Sequence, residues 1–118
     1  MFTEVIRMYI KRISEIKAEK VKEAKKTKIQ WLVTRENAGA NNFTMRRFSI
    51  EEGGEIPPHS HDWEHEIYVL KGRGLLGWSG EERKIEADMA IYVPPNISHW
   101  YKNTGYEELV FICIIPYK

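Results

Sequence analysis

Cysteine is the first scarcity: Cys113 stands alone, which excludes an intramolecular disulfide framework and fits a reducing compartment. Long apolar runs are missing too, since no stretch approaches the roughly 18 residues of a membrane-spanning helix, and no membrane partner is expected. The opening segment, MFTEVIRMYIKRISEIK, breaks its apolar residues with charges every few positions. A secretory signal needs a basic start and then an uninterrupted apolar core, so the expected location is cytoplasmic. Neither charge sign dominates: 18 Lys+Arg against 17 Asp+Glu leave +1, which gives no field for nucleic acid. Aspartate and glutamine are nearly absent while Glu and Lys abound, a bias resembling thermophile composition. What remains is ordinary for a globular chain, with 42% hydrophobic and 30% charged residues. At 118 residues there is room for one domain with a sizeable core.

No internal repeat or low-complexity segment interrupts the chain. Residues 2–16 suit a short helix or an edge strand, and the two are not distinguished. Residues 17–28, KAEKVKEAKKTK, carry six lysines, but Glu19 and Glu23 among them favour a solvated face over a nucleic-acid patch. From Ile29 the pattern changes to short runs rich in β-branched and aromatic residues: IQWLVT, FTMRRFSI, EIYVL, GLLGW, AIYVP, SHWYKN and ELVFICII. The segments ENAGANN, EEGGEIPP, KGRG, SGEER, PPNIS and NTGYEE read as the turns between them. Short strands with turn signals at this spacing predict an all-β sandwich or barrel over 31–118, preceded by an N-terminal arm at 1–30.

Four histidines carry the chemistry. His59, His61 and His65 lie within PPHSHDWEHEIYVL, and His99 follows in PPNISHWYKN. On an extended strand His59 and His61 project to one face. His65 opens the next run, and His99 shares a strand face with Tyr101. One buried histidine is ordinarily a hydrogen-bonded core residue, but four accidents are improbable when three share one short segment. Imidazole is a common ligand for Zn, Cu, Fe and Ni, so the spacing points to a metal site.

With these residues in view, the sequence resembles the cupin superfamily. That family's first motif runs Gly, five residues, His-x-His, three or four residues, Glu, six residues, Gly. Here Gly53 precedes His59-Ser60-His61, His65 takes the glutamate position, and Gly72 closes the motif. Glu66 competes by residue type, but its spacing to Gly72 is one short and its face is opposite. The second motif runs Gly, five residues, Pro-x-Gly, two residues, His, three residues, Asn. It is met by Pro94-Pro95-Asn96, His99 and Asn103, with Asn96 for the second glycine and Asp88 for the first. Asn tolerates the left-handed turn that the glycine serves. The resemblance implies a cupin double-stranded β-helix, or jelly-roll, barrel with one divalent transition metal ion per chain.

Four neutral ligands would leave that ion its full +2 charge, making it a strong Lewis acid and an anion trap. They disfavour Mg and Ca and leave Mn, Fe, Co, Ni, Cu and Zn. Arg46, on the face of FTMRRFSI shared with Phe48, is expected to point into the barrel and steer an anionic substrate, with Arg47 outward. Two solvent-facing arginines are the competing arrangement. Cys113 is most simply a small buried hydrophobe, with pocket lining as the alternative; no spare histidine activates it as a nucleophile. Trp63, between His61 and His65, is placed to wall the cavity, whereas Trp78 and Trp100 read as packing. The family implication is a metal-dependent, dioxygenase-like enzyme for a small anionic or enolisable substrate. The alternatives are a metal-dependent isomerase or epimerase, and a non-catalytic binding module. Apolar residues on both faces of the last strand and of AIYV predict a homodimer.

Overall fold

A computed structural model describes residues 8–117, and the first seven residues of the arm lie outside that range. Within that range the arm makes one 3-10 turn at Ile13–Glu15 and continues into strand β1 (Glu19–Lys20). Then follow β2 (Lys25–Val33), helix α1 (Arg35–Ala38), β3 (Phe43–His59), β4 (His65–Lys71), β5 (Arg73–Trp78), β6 (Glu81–Glu86), β7 (Ala90–Val93), β8 (His99–Asn103) and β9 (Leu109–Pro116). All pairings are antiparallel, in the order β6-β5-β8-β3-β9-β4-β7, with β2 added to β3 and β1 to β2. The sheet curls into the jelly-roll barrel expected from the sequence.

Strand β3 does most to position the site. Its first half pairs with β2 on one side and β9 on the other, and its second half reaches β8. EEGGEIPP therefore continues a strand and is not the expected turn. Gly53, at φ +78, and a register shift between Ile56 and His59 bend β3 enough to pass between partners and to admit Pro57 and Pro58. Two other segments also differ from expectation. The lysine run already enters β2 at Lys25, and the charged stretch EERKIE, partly read as a turn, is β6. Only Ile85 of β6 is buried, so an edge strand with solvent around it carries no apolar alternation to read.

Residues opposite one another across these strands share a face. The inward rows are Trp31–Arg46–Cys113–Ile67 and Ile29–Phe48–Phe111–Val69. Ile50, Val69, Leu109 and Phe111 are essentially solvent-free at the centre. Asn103, also buried, staples the end of β8: its Nδ2 donates to the Ile50 and Glu107 carbonyls, and its Oδ1 accepts from the Gly105 N–H.

Candidate metal centre

Three local structures bring the histidines together. His59 ends β3, His65 begins β4, and His99 begins β8 opposite His59 in the β3–β8 register. His61 lies in the loop between β3 and β4, not on an extended strand. It nevertheless joins the group, because the Asn96 N–H donates to the His61 carbonyl at 2.6 Å. Asn96 achieves this at φ +65, and Asp88 sits at φ +70, so both residues that replace motif glycines take the left-handed conformation.

The four rings form a closed circuit. Centroid separations are 5.2 Å for His59–His61, 5.4 Å for His61–His65, 5.3 Å for His65–His99 and 4.3 Å for His99–His59. With metal–nitrogen bonds of about 2.0–2.1 Å, imidazoles sharing one ion have neighbouring centroids roughly 4.5–5.3 Å apart. Two tautomers are set by the backbone. His59 Nδ1 lies 3.0 Å from the Pro57 carbonyl and His99 Nδ1 2.8 Å from that of Ile97. A carbonyl only accepts, so each Nδ1 carries the proton and each Nε2 keeps its lone pair. His99 Nε2 is buried without a hydrogen-bond partner, as is His65 Nδ1. Among the described residues, no group of three or more His, Cys, Asp or Glu side chains stands ready-made to hold an ion. The His59–His61 and His65–His99 spacings and the donor chemistry fit an ion, while the His59–His99 rings lie closer than that range and the side chains as placed do not close on one.

Burial favours the neutral form of three of these imidazoles. Burial pushes His65 down to about 3, helped by the Arg46 charge and then by the other three histidines. His61 is lowered by burial, then by His59 and Arg46. His99 is lowered mainly by burial, against the raising effect of its bond to the Ile97 carbonyl. Neutral imidazole is the form that ligates.

His59, His61 and His65 open onto a cavity of about 610 Å³ that also contains Arg46, Phe48 and Cys113. Arg46 faces inward, donating from Nη2 to Cys113 Sγ at 3.1 Å, while its Nε is buried with no acceptor. Arg47 lies on the opposite face and donates to Gln30 Oε1 and Ser49 Oγ. Cys113 is both buried and cavity-lining, and burial raises its thiol pKa, away from a thiolate. Trp63 stacks on His61 at 4.4 Å and 5°. Tyr101 meets His99 edge-on at 5.5 Å, and burial raises its phenol pKa. Two parts of the wall were not anticipated from the sequence: Trp31 on β2 and the turn around 19–24. Trp31 pairs with Arg46 on the same face, a signal available only once the β2–β3 register is known.

The family model described as "Cupin domain" matches residues 46–115, a span that holds Arg46 and all four histidines. The polyketide cyclase RemF from Streptomyces resistomycificus superposes with a TM-score of 0.87 at 31% identity, covering 93% of this chain and 80% of RemF. The oxalate-binding protein of Thermotoga maritima is 27% identical over 109 residues, 88% of this chain and 90% of that one. Polyketide synthase CurC of Streptomyces cyaneus is 26% identical over 98 residues, 82% of this chain. The chain spans 64% of CurC and 36% of a further curated relative.

Proposed function

Because the chain belongs to the cupin domain family, we propose that it is a metal-binding enzyme of that family acting on a small enolisable or anionic substrate. His59, His61, His65 and His99 would hold one divalent ion of the Mn, Fe, Co, Ni, Cu or Zn group. The observation that carries this reading is His99: its Nδ1 is committed to a backbone carbonyl and its buried Nε2 has no partner, inside a circuit of three other imidazoles. A buried polar atom left unpaired costs about 1–3 kcal/mol, and a ligand at that point removes the cost. Closing on the ion takes rotation of the imidazoles about their side-chain torsions.

Bound there, a divalent ion with four neutral ligands supplies Lewis acidity toward a carbonyl or enolate oxygen. The remaining roles fall to the chain itself. Arg46 would hold the substrate's anionic end, since no described carboxylate pairs with it. Phe48, Phe111 and Tyr101 make a dry floor that strengthens these electrostatic contacts. The names of RemF and CurC support an enolisable polycarbonyl substrate, because methylene groups between carbonyls lose protons readily. Similarity to the oxalate-binding protein along 88% of the chain favours a second reading, non-catalytic capture of a small dicarboxylate.

Elemental analysis of tag-free protein tests the centre. About one transition ion per chain is expected, with tight binding lost in His59→Ala. Protein that neither retains nor takes up an ion would overturn the reading. Turnover of enolisable diketones, with oxygen uptake followed in parallel, then separates ring closure or isomerisation from dioxygenase-like chemistry and from binding alone. We also propose a homodimer, built on the apolar outer face that joins Tyr68 and Leu70 of β4 to Ile112 and Ile114 of β9.

A further inference from the structure

The cavity has two walls of different origin. One carries the histidines and Arg46 and lies within the family match at 46–115. The other is the N-terminal hairpin, β1 and β2 with the turn between them, and lies outside that match. The hairpin is firmly held: Gln30 Nε2 donates to the Ile13 and Ile16 carbonyls at 3.2 and 2.9 Å, and the Val21 N–H donates to Thr27. Its main aromatic offering to the cavity is Trp31, a large ring left 41% exposed beside a guanidinium. The Arg46 guanidinium carbon lies 5.9 Å from the Trp31 ring and 5.0 Å from Phe48. From Phe48 the aromatic floor continues to Phe111 at 5.3 Å, to Tyr101 at 5.0 Å and to His99 at 5.5 Å. A chain of π-faces thus leads from the hairpin to the histidines, and beside it lies the Arg46 guanidinium, which pairs with no described carboxylate.

We propose that the N-terminal hairpin is the specificity element of this site, and that Trp31 selects a planar aromatic or conjugated acid over a small aliphatic one. The flat body of the ligand stacks on Trp31 and Phe48, its carboxylate or phenolate meets Arg46, and its far end reaches the histidines. A small dicarboxylate meets the charged groups but leaves the Trp31 face bare. The proposal rests on the anionic-substrate reading above, while the contribution of Trp31 is separable from the metal.

Calorimetry of the as-isolated protein with hydroxynaphthoate and with oxalate tests it. Wild type is expected to bind hydroxynaphthoate at least about ten-fold more tightly than oxalate. Trp31→Ala should remove most of that preference, weakening hydroxynaphthoate about ten-fold and leaving oxalate within roughly two-fold. Trp31→Phe, which keeps an aromatic face, should restore most of it. Trp31 is half bare, so these variants are expected to fold, and unchanged thermal melting checks that. Equal loss of both ligands, no loss of hydroxynaphthoate, or no binding of it by wild type would each overturn the proposal. Failure of the metal reading shows separately, as oxalate affinity that His59→Ala does not change.

Discussion

In the proposed metal centre, an imidazole at position 65 would leave the full charge of a divalent ion standing, where a carboxylate would cancel one unit. His65→Glu should therefore retain metal and weaken oxalate binding by roughly ten-fold, about 1.4 kcal/mol; tighter oxalate binding in calorimetry would refute the charge argument. The same residue sets an acid limit on the metal-free protein. Burial holds His65 at about 3 in the folded chain against 6.5 for the free side chain. Between those values the unfolded chain binds a proton that the folded chain refuses, so stability rises with pH. The contribution is fully present above about pH 6.5 and lost as pH falls toward about pH 3. The urea midpoint should drop across that window in wild type and drop less in His65→Gln. Position 65 was legible because motif spacing and strand face agree on it. Trp31 was not, because only its pairing with Arg46 places it on the cavity wall.

Turns and strands differ in how plainly they are written in the sequence. Asn96 illustrates the legible kind: asparagine accepts the left-handed conformation, and there its backbone N–H secures the His61 loop. Asn96→Ala forces a Cβ residue without a local polar side chain into that conformation, costing about 1 kcal/mol. Asn96→Gly should keep the melting temperature, and metal affinity should follow stability in both variants. Strand β6 is the illegible kind, since one buried residue in six leaves no alternation to detect. The second half of β3 was hidden for another reason. Glycines and prolines that ordinarily punctuate chains here serve as bulges inside a strand that changes partners.

At the scale of the whole molecule, the all-β barrel followed from the sequence because its inward rows are nearly continuous in aromatic and branched residues. On the opposite face, β4 and β9 carry large apolar residues as well. Tyr68 is 44% and Leu70 46% exposed, and β4 lies directly beside β9 with Ile112 and Ile114. Light scattering of the purified protein should give the mass of two chains, and Ile112→Lys should shift it toward one. Retention of the single-chain mass by wild type would exclude the dimer.

Strand β9 is the last described strand in the chain, yet it lies between β3 and β4. Its pairing joins residues 43–50 to residues 109–116. Contacts of that sequence separation place the molecule among slow folders, on the order of milliseconds to seconds. On the ribosome, strands β3 and β4 emerge with their future shared neighbour still unmade, several seconds earlier at roughly 5–20 residues per second. Until β9 arrives, both present bare inward faces and unpaired edges to other nascent chains. The histidine circuit is thus assembled late, after a window in which holding the chain apart from its own kind matters most.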